Sequence, residues 1–136
     1  MSYKATLLIT GSKSGNSEFD VLSCHFNFRR NIDDRGMVTS ALKDGLIHVE
    51  VESIESSRFF GMIDSNERIG GKITFYKPDS DQRLKQLEFK NACVVQYSES
   101  MVATGNVPMT TNVTISAQSI TLEGQTTTWA WGLNDL

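Results

Sequence analysis

Three residues on one short stretch have the types that chemistry needs. His48, Glu50 and Glu52 alternate with Ile47, Val49 and Val51. On an extended strand the imidazole and both carboxylates therefore stand on one face. Such a set can seat a metal or act as an acid–base pair. Along the chain no cysteine or second histidine lies at ligand spacing to them, and a solvated strand face accounts for all three. Cys24 and His25 are adjacent, so on a strand they point to opposite faces and cannot act as a pair. Gly11-Ser12-Lys13-Ser14 has the look of a phosphate loop, but Thr6 stands where the earlier glycine is needed and the segment joins two strands. Asp79 and Asp81 begin a calcium-like series that fails at its twelfth position, Lys90. Asn112-Val113-Thr114 matches a glycosylation sequon but lies inside a strand pattern. Trp129 and Trp131 would share a strand face, either as a sugar or base platform or as packing. No nucleophile, base and oxyanion donor assemble from these pieces. The expectation is no enzyme, no catalytic residue, no cofactor and no metal.

The elements that must position these groups follow from period-two alternation. Tyr3, Ala5, Leu7 and Ile9 form one strand face, with Leu8 breaking the pattern. Leu22, Cys24, Phe26 and Phe28 form a second, and Ile47, Val49 and Val51 a third. A short helix is expected after a cap at Ser56 or Ser57, with Phe59, Phe60 and Ile63 on one side and Gly61 weakening it. Gly70-Gly71 reads as a turn into a strand over residues 72–77, and residues 78–81 as the next turn. Leu87, Phe89, Cys93, Val95 and Tyr97 form an odd-numbered face interrupted by Asn91. In the last long run Val113, Ile115 and Ala117 change parity to Ile120 and Leu122, which predicts a bulge near Gln118-Ser119. About seven strands and one short helix make a mainly β chain. It is read as a single antiparallel barrel or sandwich over residues 1–136, with the helix covering one side or end.

Residues 30–45 stand apart: polar, aperiodic and long for a loop within a compact domain, and such a loop is commonly either functional or disordered. Length and composition suit one globular domain, 136 residues with 39% hydrophobic and 21% charged. A net charge of −3 argues against nucleic acid or an anionic membrane surface as partner. The longest apolar stretches, such as residues 92–95, are too short to span a bilayer. Residues 1–6 do not open a signal peptide, so folding in the cytoplasm is expected, with any export by a route that reads no such signal. Two cysteines make no disulfide framework. Cys24 and Cys93 suit buried thiols, and sequence leaves their pairing open.

The segment Ala103-Thr104-Gly105-Asn106-Val107-Pro108-Met109-Thr110-Thr111, running on to Gln118, resembles the Bacteroidetes-type form of the Hcp (TssD) family of type VI secretion proteins. So do Ser2-Tyr3-Lys4-Ala5-Thr6-Leu7 and the stretches 72–75, 78–81 and 84–92. The loop at 11–18 is longer than the family's short turn, and the tail at 129–136 has no match. The resemblance implies a small β-barrel with a flanking helix. It also implies hexameric rings stacked into an inner tube that a contractile sheath propels, with some effector proteins carried in the lumen. The implied partners are self, sheath, baseplate, spike and effectors, with no nucleic acid and no direct membrane anchor. A secreted protein is implied, made in the bacterial cytoplasm. In the family a long loop after the second strand contacts the neighbouring ring. Here that position is residues 30–45, and Asp33, Asp34, Arg35, Met37 and Val38 are the expected stacking contacts. The competing readings are a monomeric barrel binding a ligand or glycan through Trp129 and Trp131, and an enzyme at His48, Glu50 and Glu52.

Overall fold

The computed structural model describes residues 4–11, 15–28, 32–38, 45–53, 58–65, 67–78, 82–104 and 109–128. Seven strands and one helix follow in the order β1 (Lys4–Thr10), β2 (Ser17–Phe26), β3 (Leu46–Glu52), α1 (Arg58–Ser65), β4 (Ile69–Tyr76), β5 (Arg83–Met101), β6 (Met109–Leu122) and β7 (Gln125–Thr128). Every pairing is antiparallel, in the order β3-β2-β1-β4-β5-β6-β7. A further pairing of β3 with β6, from Leu46↔Ser116 to Glu52↔Thr110, closes the first six strands into a barrel. β7 pairs with Ser119–Leu122 of β6, beyond the last residue that β3 pairs. Closure satisfies the backbone groups that an open sheet would leave exposed.

The alternating faces behave as expected where the strands are regular. Leu7, Ile9, Ile47, Val49 and Val51 are buried, with Ile73, Leu87, Phe89, Val113 and Ile115 opposite them in one core. The three buried threonines among the described residues have hydrogen-bond partners: Thr74 with Gln86, Thr111 with Ser53, and Thr114 with His48. Four expectations about the strands are corrected. Leu22 is exposed, because a register shift between Val21 and Ser23 throws it outward while Cys24, Phe26 and Phe28 pack on the core. Gly70 and Gly71 lie inside β4, opposite Thr10 and Ile9. A Cβ on Gly71 would stand 2.2 Å from the Leu8 carbonyl oxygen and 2.9 Å from the Phe89 ring, so glycine there serves close strand approach, not turning.

The third correction concerns β5. Irregular register near Asn91, on the β4 side, and at Val95, on the β6 side, moves Ala92 and Val94 inward and leaves Val95 exposed. Cys93 is nonetheless buried. The fourth concerns β6: its register with β5 runs unshifted from Leu87↔Leu122 to Val94↔Ile115, so no bulge sits at Gln118-Ser119 against β5. Both strands change parity together at this level. Asn91 takes φ 52° and its side-chain amide donates to Gln118 Oε1 at 2.6 Å, making a shared corner.

Helix α1 packs against β5 and sends Phe59 and Met62 into the core, Phe59 lying 4.7 Å from the Phe19 ring between centroids. Phe60, expected on that same side, is 55% exposed. Its ring meets Tyr97 in an edge-to-face arrangement, at 6.1 Å between centroids. The expected caps Ser56 and Ser57 lie outside the described residues. No helix among the described residues is long and apolar enough to cross a membrane.

Candidate functional site

Within the aperiodic segment, residues 32–38 fold into a miniature hairpin. Ile32 and Val38 form an antiparallel bridge, and Asp33 N–H donates to the Met37 carbonyl at 2.9 Å. The Asp33 carboxylate accepts from the N–H groups of Arg35 and Met37, both at 2.9 Å, and Gly36, at φ 84°, closes the turn onto the Asp33 carbonyl. This is the local carboxylate-to-backbone bonding that makes Asp a turn former. The consequence is a fixed tip carrying exposed apolar side chains: Ile32, Met37 and Val38 are each more than half exposed. Of the five residues expected here, Met37 and Val38 present apolar surface, and Asp34 and Arg35 are exposed beside them. Asp33 holds the turn. Ile32 was missed, and its signal was position, six residues before Val38 across a turn-forming Asp-Asp-Arg-Gly.

A second feature lies on the outer face of β2, β3, β5 and β6. Ser23, His25, His48, Glu50, Asn112 and Thr114 line a shallow groove of about 230 Å³. His25 is directly opposite His48 across β2 and β3, with ring centroids 5.9 Å apart and planes 26° apart. Thr114 Oγ lies 3.0 Å from His48 Nδ1 and donates to Gln96 Oε1 at 3.4 Å. His48 and Glu50 thus share the groove as expected, while Glu52 is exposed at the strand end. Among the described residues no three His, Cys, Asp or Glu groups converge on one point.

At the end of β3 a polar clasp joins three elements. Ser53 Oγ donates to Glu99 at 3.0 Å and lies 2.7 Å from Thr111 Oγ, and the Tyr97 hydroxyl donates to the same Glu99 carboxylate. These bonds hold the Glu99 carboxyl below its usual range, Tyr97 first and Ser53 second. The same bond to Glu99 pushes the Tyr97 hydroxyl up to about 12.

Neither cysteine is in a disulfide; Cys93 is buried and Cys24 half-buried, on the face opposite His25. Asn112 of the sequon sits mid-strand, paired with Glu50 on one side and Ser98 on the other. Ser12, Lys13, Ser14, Asp79, Asp81, Trp129 and Trp131 lie outside the described residues.

A closed six-stranded antiparallel barrel with an appended strand and a flanking helix defines a class of small β-barrel proteins. The chain belongs to that class by descent: residues 1–132 match the model of Hemolysin coregulated protein Hcp (TssD), and the protein is a member of the Hcp family of type VI secretion tube proteins. The structure of Hcp1 from Flavobacterium johnsoniae is similar at TM-score 0.83 and 28% identity, covering 92% of this chain and 98% of that one. That match supports the Bacteroidetes-type assignment. Hcp1 from Salmonella typhimurium has the same fold at TM-score 0.70 and 17% identity, over 94% of this chain and 93% of that one. A chain of the 6-fold symmetrised anti-feeding prophage baseplate shares it at TM-score 0.60 and 11% identity, over 91% and 95%. No match was found among curated protein sequences. Family membership carries self-assembly, a secretion-machine context and secretion.

Proposed function

We propose that this chain is a structural repeating unit of the type VI inner tube, with residues 1–136 as one domain. Six copies close head-to-tail into a ring, rings stack, and a contractile sheath drives the tube with its baseplate and spike, some effectors travelling in the lumen. The chain has no catalytic role and leaves the cytoplasm with the machine. The observation that carries this reading is the family match over residues 1–132. The likeness to a baseplate chain solved with 6-fold symmetry supports the ring order. Rotation-related, non-identical patches close into rings when the rotation permits.

Stacking is assigned to the tip, with Met37 and Val38 as the contacts, Asp34 and Arg35 flanking them and Asp33 holding their backbone. Exposed apolar side chains gathered on a fixed turn mark an interaction surface, since ordering them on contact costs little further entropy. Native mass spectrometry with negative-stain imaging tests both levels. Rings of about six copies are expected from the wild type. The Met37→Glu, Val38→Glu double variant is expected to keep the rings and lose their stacks. A strict monomer at high concentration would overturn the tube reading and return attention to a ligand-binding barrel.

A further inference from the structure

The geometry points to a metal site that the tube role does not require: His25 and His48 form a two-imidazole site for a late first-row divalent cation such as Ni²⁺ or Zn²⁺. Register brings the two rings together, since His25 and His48 are direct partners across β2 and β3. An imidazole nitrogen sits ~2 Å from a metal that it binds. With centroids 5.9 Å apart the two rings can share one ion once side-chain rotation turns a nitrogen of each toward it, since the ion must lie in both ring planes and the rings are stacked. Both side chains are exposed, so neither must be uncovered first.

The second observation concerns which nitrogen is available. A hydroxyl has one proton to give, and Thr114 Oγ gives its own to Gln96 Oε1. Thr114 Oγ also lies 3.0 Å from His48 Nδ1, and in the tautomer protonated there the hydroxyl accepts from Nδ1–H and Nε2 keeps its lone pair. A ligating imidazole held through its other nitrogen is the usual arrangement around a bound metal. The groove beside the pair has room for water to complete the coordination, with the polar side chains of Ser23, Glu50 and Asn112 lining it. Two nitrogen donors suit nickel, copper or zinc and do not suit the oxygen-seeking magnesium or calcium.

The test is titration of untagged, chelator-treated protein with Ni²⁺ and, separately, Zn²⁺, followed by calorimetry and by the NMR signals of the histidine rings. One ion per chain is expected, with the signals of His25 and His48 perturbed together and Mg²⁺ without effect. His25→Asn and His48→Asn, both at exposed positions, are each expected to weaken binding about tenfold or more, and Thr114→Val to weaken it about tenfold with both rings intact. An unchanged melting temperature separates these effects from misfolding. Binding left unchanged by either histidine substitution, or perturbing one ring alone, would reveal an adventitious ion only and overturn the site. So would the absence of binding at millimolar metal. The outcome does not depend on ring assembly and is distinguishable from the tube test.

Discussion

Gly71 and Cys24 show how single positions set the limits of the barrel. At Gly71 any Cβ meets the Leu8 backbone 2.2 Å away, and backbone cannot swing aside as a long side chain can. Gly71→Ala is expected to force β1 and β4 apart and cost about 3 kcal/mol or more, in the range of overpacked cores. Urea denaturation measures it, and a loss below about 1 kcal/mol would show that the two strands can part cheaply. At Cys24, burial pushes the thiol up to about 11 from an ordinary 9.0. The folded state holds that proton more tightly than the unfolded state, so the stabilisation is complete below pH 9 and is lost as pH rises through 11. In a Cys93→Ala background, alkylation of native protein is expected to stay slow at pH 9 and to accelerate only near pH 11. Rapid labelling at pH 8 would contradict this. The thiol's burial was legible in the Cys24–Phe26–Phe28 alternation. The meeting of His25 and His48 was not, because it depends on which strands pair, and alternation within one strand carries no record of its partner.

Among the elements, those with uninterrupted pleat were legible and those with corners were not. Ile47, Val49 and Val51 of β3 alternate without break, Leu7 and Ile9 of β1 flank the apolar Leu8, and all five are buried. β5 hid its inner face because two irregularities reset its parity, leaving Val95 exposed while Cys93 is buried. β7 has only four residues, three of them threonine, and offered no apolar pattern at all. The helix was found at its position, but its face was misjudged because Phe59 and Phe60 are neighbours in sequence and 100° apart around the axis. Their fates differ accordingly. Phe59→Ala is expected to cost about 3–5 kcal/mol, as a buried ring deleted from a core does. Phe60→Ala, at an exposed ring, is expected to cost about 1 kcal/mol or less. Thermal or denaturant unfolding of the two variants checks the contrast, and equal losses would mean that the helix packs by a different face.

At the scale of the whole molecule, barrel closure came from the structure, while the tube role is carried by family membership and by the surface the barrel presents. The tip at 32–38 was visible in the sequence as a loss of period, yet its rigidity lies in the Asp33 bonds to Arg35 and Met37, which no hydrophobic pattern encodes. Assembly through the tip is expected to be largely insensitive to salt, since its contacts are apolar and ion pairing is screened. Sedimentation of stacked rings across a range of ionic strength checks this, and dissociation by moderate salt would assign the contact to Asp34 and Arg35 instead. The closing pair β3–β6 also sets a timetable for the molecule's birth. β3 is made early, yet its second neighbour reaches only as far as Ser116, late in the chain. Until the ribosome has released that segment, β3 carries one unpaired edge, and contacts so distant in sequence form slowly. The nascent chain must therefore be kept from its own neighbours on the same message, for the edge that finishes the barrel is, until then, an invitation to join another copy wrongly.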